Sequence, residues 1–214
     1  PSHFVYPAQV KIIIPEDMPA PKTEGYFKAC NNVIEQVVKA NGGRTLVLFT
    51  SKKALTASYM ALAPDLKTEG YNVLAQGVTG GKGKILEHFK EEPETSVLFG
   101  TASFWQGIDI PGDLLTCVIM QKLPFDPPSD PLIYTRGLQY QNSFSEYQLP
   151  LAILRFKQGF GRLIRTSKDK GCMVILDSRI LQNSYGQKFL TSLPEGIRLD
   201  YSLADDIGEK LKTA

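Results

Sequence analysis

The chain has 214 residues, 43% hydrophobic and 21% charged, with a net charge of +2. That length holds one large α/β core, and the composition is ordinary for a globular protein rather than a disordered tail. The near-neutral balance gives no global attraction to nucleic acid, so any such contact must come from a local face of amides, hydroxyls and a few cations.

In chain order, the first predicted strand is Val10 to Ile14. A helix over Thr23 to Lys39 sets Tyr26, Phe27, Cys30, Val33, Ile34, Val37 and Val38 on one stripe, and Asn41-Gly42-Gly43 stops it. The strand Thr45 to Thr50 is followed by a helix at Lys53 to Leu62, and the strand Tyr71 to Gln76 by one at Gly83 to Glu91, with Ile85, Leu86 and Phe89 inward. Further strands are read at Ser96 to Gly100, Thr116 to Gln121 and Cys172 to Asp177, with a weak seventh at Ile197 to Tyr201. Several are continuously apolar, as in a parallel sheet covered on both faces. The Pro-rich stretch Leu123 to Pro131 reads as a loop, and residues 124–149 as an inserted loop and helix. A helix at Pro150 to Arg165 turns Leu151, Leu154, Phe156 and Phe160 inward, with Pro150 in its first turn, and the last clear helix is Leu181 to Leu190. Alternating strands and helices predict a three-layer α/β/α sandwich over residues 1–214, with ligands expected at the loops that follow the strands.

Two segments carry chemistry. In Gln158-Gly159-Phe160-Gly161-Arg162-Leu163-Ile164-Arg165, two arginines three apart share a helix face, with Gly161 removing bulk beside the first. Such a pair suits charge on a transferring phosphoryl group; the bland reading is two solvated arginines. The second segment, Gly100 to Gly112, leaves a buried strand through Thr101 and Ser103, turns at Gly107 and offers Asp109. Its hydroxyls and amides suit a phosphodiester and its carboxylate a ribose; the bland reading is a turn with a capping Asp and a core Trp.

Together these segments resemble motifs V and VI of superfamily 2 helicases of the DinG/XPD branch. Gln158, Gly161, Arg162 and Arg165 match that family's Q-x-x-G-R-x-x-R, and Ser103 to Asp109 resembles S-F-W-E-G-x-D, with Gln106 where Glu is usual. Leu46 to Ser51 with Lys52 and Lys53 resembles motif IV, and Leu123-Pro124-Phe125 with Pro128 and Pro131 resembles the family's L-P-F-x-x-P-x-x-P loop. The resemblance implies a RecA-like second motor domain. In it, Arg162 and Arg165 face the γ-phosphate of ATP with Gln158 beside them, and Gly107, Asp109 and Gly161 border the nucleotide. Thr50, Ser51, Thr101 and Ser103 touch the phosphates of single-stranded or forked DNA, and Trp105 either lies near that strand or packs in the core. The implied motion is inchworm translocation, driven by closure on a first RecA-like motor domain of the same polypeptide.

No G-x-x-x-x-G-K-[ST] is present, and Gly77 to Lys84 has the wrong spacing and reads as a mobile loop. In the resembled family the phosphate loop and the Mg²⁺ carboxylates sit on the first motor domain, so the chain is expected to hold no metal and not to hydrolyse ATP alone. It begins at Pro1 rather than Met and reads as a piece of a longer protein. A rival reading is a non-motor DNA-binding module of a DinG-like exonuclease. Cys30, Cys117 and Cys172 show no CxxC spacing and read as buried thiols of a reducing, cytoplasmic compartment. An iron–sulfur cluster needs about four thiolates, so this chain alone would hold none. No apolar run reaches the ~18 residues of a membrane helix, and no membrane partner is expected. Asp177-Ser178-Arg179 reads as a salt bridge or cap, and Tyr134, Tyr140, Phe144 and Tyr147 as helix packing rather than base-stacking platforms.

Overall fold

A computed structural model describes residues 9–101, 104, 110–127, 129–163 and 169–212. Seven strands form one sheet: β1 (Val10–Pro15), β2 (Thr45–Phe49), β3 (Asn72–Ala75), β4 (Ser96–Thr101), β5 (Cys117–Met120), β6 (Gly171–Ile175) and β7 (Arg198–Ser202). Their order is β3-β4-β2-β5-β6-β1-β7, and every pairing is parallel. The continuously apolar strands are buried throughout, as two-sided cover requires, whereas β7 at the edge is half-exposed.

Alternation along each strand divides the core. Ile12 and Ile14 join one apolar cluster and Ile13 the other. The Ile13 side is covered by α1 (Tyr26–Asn41), α2 (Lys52–Thr68) and Ile207 of α8 (Ile207–Lys212). The Ile12 side is covered by α3 (Lys82–Glu91), α5 (Leu149–Phe160), α6 (Arg179–Gln182) and α7 (Gly186–Thr191). The chain moves across the sheet in one direction from β1 to β3 and returns from β3 to β7. Crossovers of one hand therefore place the outgoing helices on one face and the returning helices on the other. The result is the three-layer, RecA-like α/β/α sandwich that the alternating pattern predicts.

Several boundaries differ from the sequence reading. Helix α2 runs on past Leu62 to Thr68 with Pro64 inside it; burial of Ala63 and Leu66 holds the extra turn despite the lost backbone bond. Phe27 is 39% exposed, and Tyr26 fills the inner position of that turn, its hydroxyl donating to the Gln121 carbonyl. Leu154 is exposed as well, because the inner stripe of α5 is Leu149, Ala152, Phe156 and Phe160. The helix expected over Leu181 to Leu190 is two helices: Asn183 is extended, and Gly186 closes on the end of α6, where a Cβ would fall 2.1 Å from the Ile180 carbonyl oxygen. The stop after α1 stands as read. Gly42 and Gly43 are left-handed, and a Cβ on Gly43 would fall 2.6 Å from the Glu94 carbonyl oxygen.

Residues 131–148 form α4 (Pro131–Gly137) and one π-helical turn, Phe144–Gln148, running into α5. Asp130 caps α4 by accepting from Leu132 N at 2.9 Å and Ile133 N at 3.3 Å. Packing explains only part of the aromatic series. Tyr140 stacks on Tyr147 at 5.4 Å and Phe144 on Phe125 at 5.7 Å, while Tyr134 is 65% exposed.

Candidate functional site

The motif residues fall on two edges of the sheet. At the upper edge, where the strands end, β2 passes into Thr50 and Ser51 while the adjacent β4 ends at Thr101, the register partner of Phe49. Ser51 is the N-cap of α2, accepting from Ala54 N at 3.2 Å. Thr50 is half-buried, Ser51 is exposed, and Lys52 and Lys53 stand exposed in the first turn. A helix start with a hydroxyl cap and two ammonium groups is a natural anion cradle. The Thr101 backbone N–H and hydroxyl both donate to Gln76 Oε1 at 3.0 Å, which sequence reasoning missed because Gln76 merely follows a strand. The glycine-rich segment beyond Gln76 is tied down: Gly77 N donates to the Gly80 carbonyl, and Thr79 Oγ1 accepts from Ala75 N at 2.9 Å. Lys82 then places its ammonium 5.7 Å from the Phe104 ring.

The same edge carries a clamp. Asp177 is fully buried after β6 and accepts from Leu123 N (2.8 Å), Arg179 N (3.1 Å), Arg179 Nε (2.9 Å) and Arg179 Nη2 (2.6 Å). Four donors satisfy a carboxylate that burial would otherwise destabilise. The bond to Leu123 fixes the Pro-rich loop after β5, and the Arg179 guanidinium lies 5.6 Å from the Phe125 ring. The salt-bridge reading of Asp177 and Arg179 is thus correct, and its hydrogen bonds hold two strand ends together.

The arginine segment lies elsewhere. Helix α5 descends antiparallel to the strands. Arg155 meets Asp126 at 2.7 Å near the upper edge, and Arg162 follows seven residues later, toward the opposite edge. The helix ends at Phe160, so Arg162 sits in a tight turn, with Arg162 N donating to the Gly159 carbonyl at 3.2 Å and Leu163 N to that of Phe160 at 3.0 Å. This corrects the expectation of an arginine pair on a helix face: Arg162 lies past the helix end. Leu163 is buried and pins the turn against the start of β6, where a Cβ on Gly171 would fall 3.0 Å from Leu163 Cδ2. Arg162 is half-buried, and Gln158 and Gly161 are exposed. A Cβ on Gly161 would meet only the Lys157 and Gln158 carbonyls, at 3.4 and 3.7 Å, so packing does not demand glycine there.

Beyond β4, Phe104 is buried against Gly100, and Gly112 lies beside Asp169, where a Cβ on Gly112 would fall 2.3 Å from Asp169 Cγ. Ser103, Trp105, Gly107, Asp109 and Arg165 lie outside the described residues.

With this geometry in place, residues 34–196 match the family model of the helicase C-terminal domain. The chain belongs to that family. Among relatives of this helicase domain, the ATP-dependent DNA helicase YoaA of Haemophilus influenzae is 39% identical over 202 residues, 92% of this chain and 31% of that protein. The 3'-5' exonuclease DinG of Bacillus subtilis is 38% identical over 201 residues, 90% of this chain and 22% of that protein. The chain therefore spans a third or less of these curated relatives. An XPD helicase structure superposes with a TM-score of 0.69 at 18% identity over 90% of this chain and 35% of that one. The C-terminal domain of the DEAD-box protein Dbp5 superposes with a TM-score of 0.57 at 16% identity over 97% of this chain and 98% of that one. Those two likenesses concern the fold. Among the described residues, no helix is long and apolar enough to cross a membrane.

Proposed function

We propose that this chain is the second motor domain of an ATP-dependent DNA helicase, gripping a DNA strand along its upper edge and reading nucleotide state at its lower one. The observation that carries this reading is the family match across 34–196, which takes in Thr50, Ser51, Thr101 and Arg162 together. In the proposal, Arg162 and Arg165, with Gln158, meet the γ-phosphate of an ATP held by a partner motor domain, while Gly107, Asp109 and Gly161 border that nucleotide. Thr50, Ser51, Thr101, Ser103 and Trp105 line the path of single-stranded or forked DNA. The hydroxyl cap and flanking lysines of α2 support phosphate contact there. A guanidinium on a pinned turn supports charge stabilisation at Arg162.

The chain's residues fit a receiving surface rather than a complete ATP site. The sequence has no phosphate-cradling loop, and among the described residues no three His, Cys, Asp or Glu side chains gather as metal ligands. We therefore assign the phosphate loop and Mg²⁺ to the partner domain. Closure of the two domains would depend on the γ-phosphate, a population shift between open and closed forms.

One observation favours a second reading: the Bacillus relative bears the name of an exonuclease. On that reading this domain only holds DNA for a nuclease. Strand separation on a forked duplex by the full-length protein, with and without ATP, tests the choice. The motor reading expects separation that requires ATP hydrolysis; equal DNA binding and cleavage with no ATP-dependent separation would replace it with the holding role.

A further inference from the structure

A row of side chains crosses the lower part of the sheet on the face covered by α1 and α8. The register pairs Thr45 with Cys117, Cys117 with Cys172, Cys172 with Lys11, and Lys11 with Arg198. The two cysteines, distant in sequence, are thus direct neighbours on adjacent parallel strands. Strands lie roughly 4.8 Å apart, within the Cα separations that disulfides span. Backbones are close at this point: Cys172 N donates to the Thr116 carbonyl at 2.9 Å, and a Cβ on Gly171 would fall 2.8 Å from that same oxygen.

The two thiols are not equivalent. Cys172 lines a cavity of about 370 Å³ that opens at the lower edge, together with Lys11, Lys170 and Arg198, whereas Cys117 is wholly buried behind it. Lys11 is 7% exposed, lies 3.8 Å from Asp200, and donates to the Lys210 carbonyl. Burial, followed by the neighbouring Cys172, pushes the Cys117 thiol up.

We propose that Cys172 and Cys117 form a reactive dithiol that takes hydroperoxides, with Cys172 as the attacking thiol and Cys117 as the resolving one. The Cys172 sulfur attacks one peroxide oxygen; an S–O bond forms, the O–O bond breaks, and the leaving oxygen takes the Cys172 thiol proton. The Cys117 sulfur then attacks the Cys172 sulfenic acid. An S–S bond forms, the S–O bond breaks, and the departing hydroxide takes the Cys117 proton. Two thiols lose two electrons and the peroxide becomes two waters, or water and an alcohol. A dithiol reductant returns the pair.

The test uses the native protein treated with hydrogen peroxide, quenched in denaturant with an alkylating agent, and read by intact mass and peptide mapping. Cys30 is an internal control, since burial pushes its thiol up to about 12. The expected result is loss of alkylation at Cys117 and Cys172 together, a cross-linked peptide pair, reversal by dithiothreitol, and Cys30 still alkylated. Cys117→Ser should instead leave a dimedone-reactive sulfenic acid at Cys172. Full alkylation of Cys172 after peroxide, oxidation of all three cysteines at one rate, or a Cys117–Cys172 bond forming only in unfolded protein would overturn the proposal.

Discussion

The upper and lower edges of this sheet are built by different means. At the top, hydroxyls and amides converge from β2, β4 and the start of α2, and the Asp177 clamp ties the neighbouring loop to them. At the bottom, a single turn after α5 presents Arg162, pinned by Leu163 against β6. The first surface is broad, sets hydroxyls and amides beside the exposed Lys52 and Lys53, and suits a repeating backbone. The second is a point charge on a short, fixed arm. On the proposed function, the upper edge would hold a strand and the lower one would read a nucleotide, each by its own residues.

The largest effect that would sharpen this contrast is at the arginine turn. Arg162→Ala in the full-length protein should lower DNA-stimulated ATP turnover by about 10³ or more, as loss of an arginine finger does, measured by phosphate release. Near-normal turnover would leave the lower edge without a role. The next effect belongs to the clamp. Asp177→Ala removes a buried carboxylate and strands the Leu123 N–H and the Arg179 guanidinium, so stability should fall by about 3 kcal/mol in urea unfolding. A change under about 0.5 kcal/mol, the range of ordinary surface substitutions, would mean the clamp is unimportant. Smaller still, Ser51→Ala should cost about 1 kcal/mol of stability through the lost cap. It should also weaken single-stranded DNA binding several-fold with the salt dependence unchanged, since no cation is lost, while turnover at saturating DNA persists. The smallest shift is expected from Leu154→Gln, on the exposed side of α5, whose unfolding midpoint should hardly move.

The fold was legible because most strands are buried on both faces and so read as unbroken apolar runs; β7, half-exposed at the edge, left only a weak trace. Helix ends were less legible. Pro64 sits inside α2 because tertiary burial outweighs a local preference, and the break at Asn183 depends on Gly186 closing against α6. In the candidate site, Thr50, Ser51, Thr101 and Arg162 could be picked out from motif spacing, but their split between two edges could not. That split follows from the direction in which α5 runs, which spacing does not encode. Gln76, which holds Thr101, gave no signal at all. The Cys117–Cys172 adjacency was hidden for the same reason: it exists only once the strand order places β5 beside β6.

The division of labour between the edges is tested most directly by measuring, on one preparation of full-length protein, nucleotide-free affinity for a labelled single strand alongside maximal ATP turnover, for Arg162→Ala and Thr101→Val. The account predicts opposite patterns: Arg162→Ala binds the strand as wild type does but turns over hardly at all, whereas Thr101→Val binds weakly and recovers turnover when DNA is raised. Parallel loss of both properties in both variants would contradict it.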